Sequence, residues 1–183
     1  MKGLITKSTG SWYQVLDLDK NTFYEARIRG KFKLLKNRLT NPIAVGDFVE
    51  FQLEQDDVAW ITVIEPRKNY LIRKAVNLSK ESHIIASNID VACFIYTLRY
   101  PETSLGFLDR FLACCEAYNI EPLILFNKMD VLDGEDSEIV GNIKQLYNNI
   151  GYKTLFFNAY SHINFYTLQE TIKDKVSVFF GHS

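Results

Sequence analysis

Pro122-Leu123-Ile124-Leu125-Phe126-Asn127-Lys128-Met129-Asp130 is the stretch that decides the fold of the second half of this chain. An unbroken apolar run that turns polar at once reads as a strand buried on both faces, stopping at the edge of a sheet. The same pattern recurs on either side. Val91-Ala92-Cys93-Phe94-Ile95-Tyr96 is an earlier run of this kind, and residues 153–157 and 176–180 give two later ones. Helical patterns lie between them. Thr103-Ser104 can cap a helix whose stripe is Leu105, Leu108, Phe111, Leu112 and Cys115. Ile139, Val140, Ile143, Leu146, Tyr147 and Ile150 mark a second, stopped by Gly151, and Phe165, Leu168 and Ile172 a short third. Strands alternating with helices predict a parallel sheet with right-handed crossovers, which binds ligands at the carboxyl ends of its strands.

Upstream the pattern differs. Residues 4–6, 12–16, 22–29, 45–51 and 58–64 are short β-type runs separated by turn residues. Five such strands suit a small barrel or sandwich, and an OB-type barrel is the expected form. Pro66 and the charges around it read as a connector, and residues 70–88 show no clean period, so no element is placed there. The expected organisation is an all-β barrel over residues 1–72 followed by an α/β domain over residues 73–183.

Composition excludes several classes. With 47% apolar and 23% charged residues, the chain is not intrinsically disordered. No apolar run approaches the length of a membrane-spanning helix, and the first residues lack the pattern of a secretory signal. Cys93, Cys114 and Cys115 have no CxxC spacing and read as thiols in a reducing cytoplasm. His83, His162 and His182 form no metal-spaced cluster.

The formal net charge of -1 conceals an asymmetry. Residues 1–75 carry 13 Lys+Arg against 9 Asp+Glu, and residues 76–183 carry 8 against 13, which suggests two units with different partners. Arg27, Arg29, Lys31 and Lys33 alternate with smaller or apolar residues, so extended chain would line four cations along one face. On the residues alone this is either a phosphate-tracking ridge or an ordinary solvated strand edge. Of Trp12 and Tyr13, alternation sends one inward and one outward, where it can serve as a stacking platform for bases.

Three polar features sit at predicted strand ends. Asn127-Lys128-Met129-Asp130 follows its strand directly. A carboxylate at Asp130 can accept two hydrogens at once, which suits the N1–H and 2-amino group of guanine and leaves adenine unmatched. Asn127 can donate to the base, and the Lys128 stem can lie along its face. Asn158-Ala159 follows the next strand as the start of a short polar loop. Gly181-His182-Ser183 follows the last strand, as a phosphate loop would begin.

The NKxD tetrad resembles the guanine-reading motif of GTPases, but here it precedes the phosphate-loop onset, the order of a circular permutation. With Gly10-Ser11-Trp12-Tyr13, Arg29-Gly30-Lys31-Phe32, Val45-Gly46-Asp47-Phe48-Val49, Pro66-Arg67-Lys68-Asn69, Asn88-Ile89-Asp90, Leu108-Asp109-Arg110-Phe111 and Phe180-Gly181-His182-Ser183, the chain resembles the circularly permuted ribosome-small-subunit-dependent GTPase family.

The resemblance implies an OB-type barrel that binds rRNA, a permuted P-loop GTPase domain truncated at its phosphate loop, and GTP or GDP with Mg2+. It also implies a zinc ion in a domain beyond Ser183. The implied partner is the small (30S) ribosomal subunit, met in the cytoplasm by a monomer that touches no membrane. Nucleotide binding then falls to Asn127, Lys128, Met129, Asp130, Asn158, Ala159, Gly181, His182 and Ser183. RNA binding falls to Trp12, Arg27, Arg29, Lys31 and Lys33, while no residue present is expected to be catalytic or to hold metal. Asn158 departs from the Ser usual at its position. The other reading of the same residues is a non-enzymatic RNA-binding adaptor with a degenerate α/β domain.

Overall fold

A computed structural model describes residues 1–28, 42–54, 58–74 and 82–182, in two compact units, Met1–Asn88 and Ile89–Ser183. In the first, alternation of inward and outward residues closes five strands into a barrel. Strands β1 (Lys2–Thr9), β2 (Trp12–Asp17), β3 (Thr22–Ile28), β4 (Phe48–Leu53) and β5 (Ala59–Ile64) run in the order β1-β2-β3-β5-β4. The β3–β5 pairing is parallel and the rest are antiparallel. Ile5, Tyr13, Val15, Val49, Phe51 and Ile61 fill the interior.

The fourth strand starts three residues later than its apolar pattern suggested, at Phe48. The cause is Gly46, at φ +92, where a Cβ would stand 2.1 Å from the Ser87 carbonyl oxygen. Only glycine fits that turn. It delivers Asp47 into the interior with no exposed surface. The Asp47 carboxylate accepts from Arg67 Nε and Nη2 and from Ser87 Oγ, each at 2.6 Å, and from the Ala44 N–H at 2.9 Å. Arg67 also donates to the Pro42 carbonyl at 3.0 Å.

Ser87 belongs to a hairpin absent from the sequence reading, β6 (Tyr70–Lys74) paired with β7 (Ser82–Ser87). Asn88 closes the arrangement, donating from Nδ2 to the Gly46 carbonyl at 2.8 Å and accepting the Lys68 N–H at 2.9 Å. These bonds carry the front unit past residue 72 to Asn88.

The second unit alternates as its apolar runs require: β8 (Val91–Tyr96), α1 (Leu105–Ala117), β9 (Glu121–Phe126), α2 (Gly134–Asn149), β10 (Lys153–Phe156), α3 (Phe165–Ile172) and β11 (Ser177–Gly181). The sheet order is β10-β9-β8-β11 and every pairing is parallel. Ser104 caps α1 by accepting the Phe107 N–H at 3.3 Å, and Leu108, Phe111, Leu112 and Cys115 are buried beneath it.

Helix α2 buries only Val140 and Tyr147 of its expected stripe, while Ile139, Leu146 and Ile150 are exposed. The Tyr147 hydroxyl donates to Asp109 Oδ1 at 2.6 Å, tying α2 to α1. Burial first, and then the Asp109 carboxylate, push the Tyr147 hydroxyl well above its ordinary pKa. Burial also pushes the Cys93 thiol up to about 11 and Cys115 to about 12, so both stay protonated. Leu168 of α3 joins a cluster with Val91, Cys93, Leu123, Leu125 and Phe157. Among the described residues no helix is long and apolar enough to cross a membrane.

Removing one partner of the Asp47–Arg67 pair strands a buried charge. Arg67→Ala is expected to destabilise the front unit by about 3–5 kcal/mol. Both tryptophans, Trp12 and Trp60, lie in that unit, so urea unfolding followed by tryptophan fluorescence reads it selectively. An unshifted midpoint would show that the pair contributes nothing.

Candidate functional site

Parallel register brings the strand ends to one level. Phe126 of β9 pairs with Tyr96 of β8 on one side and with Phe156 of β10 on the other, and Gly181 of β11 pairs with Ile95 of β8. The loops that begin at Thr97, Asn127, Phe157 and His182 therefore leave the sheet along a single edge.

The first loop residues continue the ladder. The Asn127 N–H donates to the Tyr96 carbonyl at 2.9 Å and the Phe157 N–H to the Phe126 carbonyl at 2.8 Å. Lys128 then adopts the left-handed conformation, φ 61 and ψ 34, and leads into a single 3-10 turn, Met129–Val131. That turn leaves Asp130 exposed to solvent. The Lys128 ammonium donates to the Tyr100 carbonyl, so its stem reaches from β9 toward the loop after β8. Arg99 of that loop forms a two-pronged pair with Asp136 at the start of α2, at 2.9 Å on each prong. The hydrogen bonds from Arg99 hold the Asp136 carboxyl below its usual range.

Asn158 meets this turn from β10. It is 4% exposed, and its Nδ2 donates to Asp130 Oδ1 at 2.5 Å. Its Oδ1 accepts the N–H groups of Tyr160 and Ser161 at 2.8 and 3.0 Å, and its backbone bridges to Ile163. Asn164 completes the loop by donating to the Phe156 carbonyl at 2.7 Å. Ala159 stands exposed within it.

Four of the expected nucleotide residues, Asn127, Lys128, Met129 and Asp130, thus share an edge with Asn158 and Ala159. Gly181 and His182 lie two strands from β9, about 10 Å away at ordinary strand spacing. A Cβ on Gly181 would come within 3.2 Å of the Ile95 side chain and carbonyl, so β11 lies close on β8. The His182 ring rests on Phe107, centroids 4.8 Å apart. Ser183 lies outside the described residues. Among the described residues no group of three or more His, Cys, Asp and Glu side chains could hold a metal ion, and no residue is assigned to Mg2+ or zinc.

On the barrel, Tyr13 points inward, 3% exposed, and Trp12 outward at 37%. The Arg27 guanidinium stacks on the Trp12 ring 3.7 Å from its centroid. Trp60, which the sequence reading did not single out, is the register partner of Arg27 on β5 and shares its outer face. Only the pairing of β3 with β5 exposes that relation, since the two residues are far apart in the chain. Arg29, Lys31 and Lys33 lie outside the described residues.

A closed five-stranded barrel followed by a parallel sheet with its polar loops at one edge is the architecture of the circularly permuted GTPases. Residues 64–183 match the RsgA GTPase family model and residues 2–61 the RsgA N-terminal domain. The chain belongs to the RsgA GTPase family.

It is 46% identical over 183 residues to the small ribosomal subunit biogenesis GTPase RsgA of Bacteroides fragilis strain YCH46, covering all of this chain and 59% of that protein. Against the protein of the same name from Flavobacterium johnsoniae it is 44% identical over 186 residues, covering 57% of that relative. Among solved structures, YjeQ from Thermotoga maritima superposes with a TM-score of 0.79 at 26% identity, matching all of this chain and 60% of that one. YloQ, described as a circularly permuted GTPase, does so with a TM-score of 0.73 at 32% identity, with the same coverage. The chain therefore spans about three fifths of the length of these proteins.

Proposed function

We propose that this chain supplies the guanine-reading and RNA-docking parts of a GTP-binding, GTP-hydrolysing factor that acts in maturation of the small ribosomal subunit. The observation that carries this reading is the exposed Asp130 carboxylate, set one turn past β9 and held from behind by Asn158, in a chain of the RsgA GTPase family. Asp130 would accept the N1–H and 2-amino hydrogens of guanine. Asn127 and the Lys128 stem would flank the base, and the Ala159 N–H would meet its oxygen.

Phosphates attached to such a base would extend toward the end of β11, about two strand spacings from β9. Residues 181–183 would open the phosphate loop. GTP is the substrate, and no residue of this chain is assigned to the hydrolytic step. The outer face of the barrel, with Trp12 and Arg27, would dock rRNA together with Arg29, Lys31 and Lys33, which follow Arg27 in the chain, the aromatic ring stacking and the cations tracking phosphate. Such a factor works in the cytoplasm, as a monomer on its subunit.

Two measurements test this. With the chain extended to the length of its relatives, GDP is expected to bind at least 100-fold more tightly than ADP, because adenine offers the Asp130 carboxylate no matching pair of donors. Asp130→Asn should move the preference toward xanthine nucleotides, which carry an acceptor at position 2. Equal affinity for GDP and ADP would overturn the guanine reading.

For the barrel, Trp12→Ala combined with Arg27→Glu is expected to weaken binding to the small subunit about tenfold or more. The dependence of affinity on salt should become shallower as well. Unchanged binding and an unchanged slope would take the outer face out of the interface.

A further inference from the structure

Helix α2 carries an apolar pattern that the core of its own unit does not use. Ile139, Ile143, Leu146 and Ile150 recur at intervals of four, three and four residues, the spacing of a heptad seam along one side of a helix. Val140 and Tyr147, the residues that α2 buries, lie on a neighbouring face. Within the seam, Ile143 is half-buried, and Ile139, Leu146 and Ile150 are 40%, 54% and 63% exposed. A helix that is apolar on two faces has one for its own core and one for another surface.

The surroundings give the seam an end and a rim. At Ile150 it runs into a recess of about 210 Å³ lined also by Glu116, Pro122 and Tyr152. The Lys153 ammonium at that recess is engaged by Glu121. Glu135 stands one helical turn before Ile139, on the same side of α2. Asp109 of α1 lies beside α2, where it accepts the Tyr147 hydroxyl. The cations of the two helices are turned elsewhere. Lys144 stands over the Phe156 ring of β10, 5.0 Å from its centroid. Arg110 lies back along α1, its guanidinium 3.5 Å from where a Cβ on Gly106 would stand.

We infer that this seam is a docking surface for an amphipathic helix of a protein partner, with apolar residues at heptad spacing and Lys or Arg along its flanks. The spacing fits a helix laid along α2, one of its side chains seated in the recess beside Ile150. The rim selects the charge. Glu116 and Glu135, with neither Arg110 nor Lys144 turned toward them, favour basic flanks and disfavour acidic ones. The same carboxylates repel phosphate, so the face does not suit RNA. A second copy of this chain would bring carboxylates and no cation to the seam.

The test uses the chain extended to the length of its relatives and two labelled synthetic peptides of about three heptads, read by fluorescence anisotropy. Both carry leucine at the seam positions, and their flanks are lysine in one and glutamate in the other. The lysine-flanked peptide is expected to bind about tenfold more tightly or better at low salt, with the margin narrowing as salt rises. Leu146→Glu combined with Ile139→Gln should weaken that binding about tenfold or more. Both positions are exposed, so helical circular dichroism and the thermal midpoint should match those of the unaltered protein. Glu116→Lys combined with Glu135→Lys leaves the apolar residues in place and should reverse the preference between the peptides.

Equal binding of the two peptides would overturn the inference. So would binding of neither, as when the rest of the longer chain already covers the seam. An affinity unmoved by the changes at Leu146 and Ile139 would place the peptide elsewhere, with the same consequence. Two other occupants would show themselves directly. If the extended chain is a dimer that Leu146→Glu converts to monomer, a second copy occupies the seam. If Leu146→Glu weakens binding of small-subunit rRNA, the face belongs to nucleic acid. Either result excludes the basic helix.

Discussion

Two backbone hydrogen bonds set the height at which the polar loops leave the sheet: Asn127 N–H to the Tyr96 carbonyl, and Phe157 N–H to the Phe126 carbonyl. They continue the parallel ladder one residue past the strands, so that turns rooted in β8, β9 and β10 start level. Asp130 and Asn158 are 28 residues apart in the chain and meet at 2.5 Å because of that alignment. A slip of one residue between β9 and β10 would reverse the facing of every side chain on the shifted strand and carry Asn158 away from the turn. The site's geometry is thus inherited from sheet register. Register in turn is enforced by the packing of apolar side chains such as Leu123, Leu125 and Phe157 into one cluster with Val91, Cys93 and Leu168.

The front unit is held by a different device, a buried carboxylate with every oxygen employed. Burying a charge is costly unless it is both paired and hydrogen-bonded. Asp47 meets that condition with two guanidinium contacts, one hydroxyl and one backbone N–H. Those donors come from three places in the chain: the turn before β4, the connector at Arg67 and the end of β7. Gly46 permits the turn and Asn88 seals it from the other side. The sequence blocks around Gly46-Asp47, Arg67 and Asn88, which look unrelated when read along the chain, form one network in space.

That network explains what local pattern could and could not convey. The strands and helices of the second unit were legible because each is long enough to display its own period, and their ends carry turn chemistry. β8 coincides with its apolar run, and Ser104 and Gly151 punctuate α1 and α2 as their residue types suggest. The hairpin of β6 and β7 was not legible, since a shift of register between Leu71 and Ile72 breaks the two-residue alternation. The late start of β4 was hidden for a related reason: Val45 has strand-like character, but a close approach of Ser87 governs the next residue. For α2, helical spacing identified the element and not its depth of burial, so Ile139, Leu146 and Ile150 face outward. In the candidate site the tetrad ending at Asp130 was readable from its place after a strand. The pairing of Asp130 with Asn158 was not, because no local signal links two loops on neighbouring strands.

Asn at position 158 looked like a departure from the usual small hydroxyl residue when only its neighbours in sequence were considered. In space it is well matched to its surroundings. A hydroxyl carries a single hydrogen on a rotating bond, whereas a primary amide carries a fixed acceptor and fixed donors at the two ends of one planar group. Between a turn that needs an acceptor for two N–H groups and a carboxylate that needs a donor, the amide serves both without reorienting. Because Asn158 is buried and Asp130 is not, the fixed partner is the one shielded from water and the adjustable partner is the one left to meet a ligand. Orientation is thereby stored in the fold, and the proposed reading of a purine by Asp130 depends on that preorganisation.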